Sequence, residues 1–113
     1  MFLFKKKDMP KLTDDAIVTL LETKNYIVDG TNFTWVPYEH AKALNKEIEK
    51  CIEFMKAGKL DSLDEIYSHY LPTATFQEHA IANKWHKEYE VLAVKFDRVY
   101  NNLSKGLRLK SVE

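Results

Sequence analysis

From Thr75 to about Ser104 the chain contains no Gly or Pro, and apolar side chains recur at Ala82, Trp85, Tyr89, Leu92, Phe96, Val99 and Leu103 in alternating steps of three and four. That spacing holds them on one side of an α-helix, so it predicts a single amphipathic helix of about 30 residues, ~45 Å long at 1.5 Å per residue. A second stripe, Ala41, Leu44, Ile48, Ile52 and Met55 with Cys51 beside it, predicts a helix from about Tyr38 to Lys56. Its other side carries Glu39, Lys42, Lys46, Glu49 and Glu53, a mixed-charge face suited to solvent. Two shorter patterns predict a helix to about Thr23 with Ile17, Leu20 and Leu21 inward, and one over Ser62 to Tyr70 with Leu63, Ile66 and Tyr67 inward.

The breakers fall where these patterns change. Pro10 closes a charged leader, and Thr13 followed by Asp14 and Asp15 reads as an N-cap with an acidic first turn. Pro37 suits a helix start, Gly58 sits where a C-terminal cap belongs, Asp61 caps the short helix, and Leu71-Pro72 stops it. Thr73 or Thr75 then caps the long helix, and Gly106 ends it. Between the first two helices, Tyr26-Ile-Val and Phe33-Thr-Trp-Val36 have strand composition and flank Asp29-Gly30, so a β-hairpin over about 26–36 is expected, with Phe33 and Trp35 on one face. Such a hairpin is marginal alone and should dock on the helices. Leu107-Arg-Leu-Lys110 and Phe2-Leu-Phe4 alternate enough to form short terminal strands. The expected fold is therefore mainly α with a small β-hairpin. It is one domain over 1–113, a bundle of about four helices built on the long C-terminal helix (about 75–104), with frayed or short-strand termini at 1–11 and 107–113.

The width of the long stripe separates a bundle spine from a coiled-coil rod. With Ala82, Tyr89, Phe96 and Leu103 as a positions and Trp85, Leu92 and Val99 as d positions, a two-stranded coiled coil needs charges at e and g. The e positions are His86, Ala93 and Tyr100, and one g position is Ile81, so the stripe is too broad for a narrow seam and suits several packed neighbours. Phe76, Val91 and Val94 project from the opposite side; scattered surface apolar residues are ordinary and explain them, and the sharper readings are a contact surface for a partner or a second copy, or a bed for the hairpin over Val91 or Val94.

Composition limits the classes of activity. In 113 residues, 45% are apolar and 30% charged, enough for one core and too apolar for a disordered chain. Seventeen basic residues balance seventeen acidic ones, so the molecule lacks the overall positive field that drives binding to nucleic acid or anionic membranes. Cys51 is the only cysteine, which excludes an internal disulfide and points to a reducing cytoplasm. Met-Phe-Leu-Phe precedes Lys5 to Lys7, the reverse of a signal peptide's order, and no stretch approaches the ~20 apolar residues of a membrane span.

Candidate chemistry is sparse. His79, Asn83, His86 and Glu90 are spaced to share one face of the long helix, an arrangement that offers imidazole and carboxylate to a metal or a proton, although a solvated polar face explains them equally. Facing-helix ligand motifs, Gly-rich phosphate loops, HExxH and nucleophile elbows do not occur. His40 and His69 read as surface residues, and Cys51 as a small buried hydrophobe. The expectation is a small non-enzymatic module without cofactor that binds another protein, or a second copy of itself, through Phe76, Val91, Val94, Phe33 and Trp35. The alternative is a nucleic-acid-associated regulator using Lys5, Lys6, Lys7, Arg108 and Lys110 at the two chain ends.

Overall fold

The computed structural model describes residues 9–112 except 35, 37 and 39, and for residue 9 and residues 106–112 the backbone alone. Five helices occur among the described residues: α1 (Met9–Lys24), α2 (Ala41–Lys56), α3 (Leu63–Ser68), α4 (Thr75–Ala82) and α5 (His86–Val112). α1 lies between α2 and α5, while α3 and α4 close the core against α5. One apolar cluster joins all of them, running from Ala16 and Leu20 through Leu44, Ile48 and Ile66 to Phe76, Phe96 and Leu103.

α2 matches its sequence pattern closely, since Ala41, Leu44, Ile48, Cys51, Ile52 and Met55 are the residues it buries. Gly58 ends it for a stereochemical reason. At φ 78° it takes the left-handed conformation, its N–H donates to Met55 O (3.0 Å) and Lys59 N–H donates to Phe54 O (2.8 Å), which is the Schellman pattern. α1 begins four residues before the expected Thr13, because proline is tolerated in a first turn and Pro10 does not delay the helix. Its inward side also differs from expectation. Ala16 and Leu20 are buried together with Thr19 and Thr23, while Leu21 is 46% exposed. The two threonines are tolerable inside because Thr19 Oγ1 donates to Asp15 O and Thr23 Oγ1 to Thr19 O, both at 2.9 Å.

The β-hairpin expected over 26–36 is not present: no strand occurs among the described residues, and the segment is a loop of turns. Local bonds consume the donors a ladder would need. Tyr26 N–H and Ile27 N–H donate back to Thr23 O and Lys24 O, and Thr31 N–H donates to Val28 O across a turn in which Gly30 has φ 86°. The groups a partner strand would meet are taken by a side chain. Asn32 N–H donates to Asn83 Oδ1 (2.7 Å) and Asn83 Nδ2 donates to Asn32 O (2.9 Å), so one carboxamide from the helical layer replaces a strand partner. Each apolar residue of the loop is then placed by itself. Ile27 is fully buried, Phe33 half-buried, and Tyr26 stacks on Trp85 with ring centroids 4.6 Å apart.

The single long helix expected over 75–104 is two helices with a corner at Asn83, Lys84 and Trp85. Lys84 has φ 63°, and Trp85 N–H donates to Ala80 O (2.9 Å), again a Schellman-type end but with lysine where glycine is usual. Asn83 assists by donating from Nδ2 to His79 O (2.9 Å). The three-four rhythm survives the corner because Trp85, Tyr89, Leu92, Phe96, Val99 and Leu103 all belong to the far side of the break or to the corner itself, and all are buried. Gly106 does not end α5, whose backbone stays helical to Val112, so the short strand expected at 107–110 is also absent. The strand expected at Phe2–Phe4 lies outside the described residues, as do Trp35 and Pro37.

Candidate functional site

Two places concentrate the residues that sequence singled out: the corner between α4 and α5, and the outer surface shared by α1 and α5. At the corner, Trp85 Nε1–H donates to His79 Nδ1 at 3.0 Å. That leaves the proton of a neutral imidazole on Nε2, which lies 2.9 Å from Thr31 Oγ1, and the Thr31 hydroxyl in turn donates to Val28 O at 2.7 Å. Every donor in this chain of four groups has one acceptor. His79 is fully buried, Phe33 packs against it edge-on at 4.8 Å, and desolvation pushes its pKa below the ordinary histidine value. The polar ridge expected along His79, Asn83, His86 and Glu90 is therefore divided. His79 and Asn83 face inward to the loop over 25–34, while His86 and Glu90 stand beyond the corner 3.8 Å apart, both partly exposed. No cluster of three or more His, Cys, Asp or Glu positioned for a metal occurs among the described residues.

A second histidine is likewise internal rather than superficial. His69 Nδ1 lies 2.9 Å from Thr75 Oγ1 and its Nε2 lies 3.6 Å from Glu47, to which the Tyr38 hydroxyl also donates. Desolvation lowers its pKa and outweighs the opposing pull of Glu47 and Glu65. The Cys51 thiol is buried, and desolvation pushes it up to about 12, so thiolate is scarce near neutral pH. The aromatic rings continue the core without a gap: Tyr70 sits 4.6 Å from Phe76 and 4.5 Å from Phe96, and its hydroxyl reaches Thr23 Oγ1 at 2.7 Å.

The expected contact residues separate into two groups. Phe76 was expected on the outer side of the long helix but is fully buried against His69 and Tyr70, because the corner turns α4 back on the core and reassigns its inner face. Phe33 is half-buried on His79 and is no exposed loop tip. Val91 and Val94 are exposed at 56% and 60%, as the pattern indicated. Val18 and Leu21 of α1, exposed at 53% and 46%, join them, although the spacing of Ile17, Leu20 and Leu21 places Leu21 inward and leaves Val18 unmarked. A groove of about 310 Å³ between the two helices is lined by Glu22 of α1, Asn25 and Tyr26 just past its end, and the adjoining Glu88, Val91 and Leu92 of α5. Glu22 and Lys95 meet across it at 3.8 Å. Lys5, Lys6 and Lys7 lie outside the described residues, and Arg108 and Lys110 lie in the last turns of α5, where only the backbone is described.

No protein-family model matches this chain, and no significant similarity to a curated protein or to a solved structure was found. Among the described residues, no helix is long and apolar enough to cross a membrane.

Proposed function

We propose that this chain is a non-enzymatic binding module of the cytoplasm that attaches to another protein through the face shared by α1 and α5. It acts there as a regulator, adaptor, inhibitor or immunity-type factor by covering its partner's surface. The observation that carries this reading is the set of four exposed aliphatic side chains on two adjacent helices, Val18 and Leu21 of α1 and Val91 and Val94 of α5, of which Val91 lines the groove between them and Leu21 the groove from α1 to α2. Isolated exposed aliphatics are ordinary, whereas a group of them on one face rimmed by charge is how a protein-contact surface is built. The internal polar chemistry supports the same reading, since His79 and Cys51 are buried and the half-buried His69 is held by Thr75 and Glu47.

The test uses the immobilised chain as bait in extract from its own host, comparing wild type with Val91→Lys/Val94→Lys and with Glu53→Lys on the exposed side of α2. A specific partner retained by wild type and by Glu53→Lys, and lost at least tenfold by the double variant, is the expected result. Equal retention by all three, or no specific partner, counts against the α1–α5 face.

A further inference from the structure

The charges on the α1–α5 face identify what covers it. Glu22 meets Lys95, whereas Asn25 and Tyr26, where the chain leaves the end of α1, line the groove with Glu88 and Val91, earlier in α5. The two helices are therefore antiparallel neighbours. At 100° per residue, the outward stripe of α1 is centred on Val18 and carries Asp14, Asp15, Leu21 and Glu22, with Lys11 at its far end. The matching stripe of α5 carries Val91 and Val94 among Lys87, Lys95, Arg98 and Lys105, with Glu88 at the groove edge. Asp97 and Glu90 do not share it. Asp97 accepts from Tyr67 on the α3 side, and Glu90 pairs with His86. One half of the face is thus acidic and the other basic, each with aliphatic residues at its middle.

A two-helix face of this kind can meet a copy of itself about a two-fold axis in only two helical alignments. With the axis across the helices, α1 lies on the partner's α1 and α5 on the partner's α5, which sets carboxylates against carboxylates and cations against cations. With the axis along the helices, α1 lies on the partner's α5. Every neighbouring pair is then antiparallel, as in an up-down four-helix bundle, and acid meets base twice. The register follows from the Glu22–Lys95 pair. Seven residues before Glu22, Asp15 lies level with position 102, between Arg98 and Lys105, while Val18 and Leu21 lie level with 96–99 beside Val94.

We infer that the α1–α5 face is a self-association surface on which two copies of the chain form an antiparallel four-helix layer, α1 of each on α5 of the other. This rests on the reading of that face as the binding surface and names its partner as a second copy.

Light scattering on a sizing column, from micromolar to several hundred micromolar chain, tests it with two charge-reversed variants, Asp14→Lys/Asp15→Lys and Arg98→Glu/Lys105→Glu. Wild type is expected at twice the 13.3 kDa of one chain. Each variant alone is expected to be monomeric at the same concentration, with the helical circular dichroism of wild type, because both of its acid-base contacts have become repulsive. An equimolar mixture of the two variants restores the dimer, since acid and base again meet at both contacts. Dissociation of wild type that grows with salt is the second supporting readout. A wild type that remains monomeric throughout, or a dimer unchanged by either variant, overturns the inference. A monomeric wild type that still captures a different protein through Val91 and Val94 overturns self-association alone and leaves the proposed function standing.

Discussion

His79 shows how one buried residue joins two parts of the chain that sequence separates by 48 positions. Its Nδ1 accepts from Trp85 and its Nε2–H is given to Thr31, so the ring is neutral in one tautomer and has no lone pair left for an added proton. The titratable side chains of the surrounding elements, Tyr26 in the loop against Trp85, Asp29 in the same loop, Glu78 on α4 and Lys84 at the corner, make no hydrogen bond or ion pair with the ring among the described residues. Desolvation alone lowers its pKa. Protonation would set N–H against N–H at Trp85 and charge a dry site. The sign of the pH effect follows. The unfolded chain binds a proton at this residue near pH ~6.5, before the folded chain does, so the stability from neutral His79 is present above that pH and is lost as pH falls below it towards the depressed folded pKa. His69, lowered in the same direction, adds to the slope. Denaturant unfolding followed by circular dichroism from pH 7.5 to 5 is expected to show falling stability in wild type and a shallower fall in His79→Gln, whose amide offers an acceptor oxygen and an NH₂ donor group without titrating. Equal slopes for the two proteins would mean that His79 does not carry this linkage.

At the scale of elements, the corner at residues 83–85 decides the course of the second half of the chain, and it has a sharp energetic test. Lys84 sits at φ 63°, a conformation that costs an L-residue with a Cβ roughly 1 kcal/mol and glycine almost nothing. Lys84→Gly should therefore raise stability by about 0.5–1 kcal/mol, whereas glycine at the middle of a continuous helix would lower it by about 1 kcal/mol. Chemical denaturation of the two proteins reads the sign directly, and destabilisation would restore the unbroken helix. The same corner explains what the sequence could and could not convey. Periodicity located α2 and the buried side of α5 because a helix must present one face to its neighbours, and the Asp29-Gly30 dipeptide located a turn because few residues other than glycine adopt φ 86°. The break itself carries no Gly or Pro, since a lysine occupies the left-handed position and Asn83 caps from its side chain, so the helical rhythm runs through it unmarked. Once the break is missed, Phe76 and His79 are assigned to the wrong face. The loop reads as a hairpin for a related reason: its β-branched and aromatic residues satisfy strand propensity locally, while the partner that wins, the Asn83 carboxamide, is 51 positions away.

For the molecule as a whole, the remaining question is whether one core holds all five helices together. The chain extends 46 × 26 × 19 Å, long enough for its two ends to open separately if the apolar cluster were divided. Cys51 is a built-in probe, because it is 1% exposed on α2 while the corner and its histidine lie on other elements. Its reaction with a thiol reagent needs access and thiolate, and burial suppresses both by closing the surface and pushing the thiol up to about 12, against ~8.5 for an open chain. Native Cys51 should therefore label only through opening, and under fast reclosing the labelling rate divided by that of the unfolded chain gives the free energy of that opening. If the cluster from Ala16 to Leu103 is one cooperative unit, that free energy equals the one from denaturant unfolding. The decisive comparison uses distant substitutions. Lys84→Gly should slow Cys51 labelling about twofold to fivefold, the factor that a gain of about 0.5–1 kcal/mol implies, and His79→Gln should change it by whatever amount its denaturation curve shows. Labelling that ignores both substitutions would place α2 in a separate opening unit, and the corner would then govern only the half of the molecule built on α4 and α5.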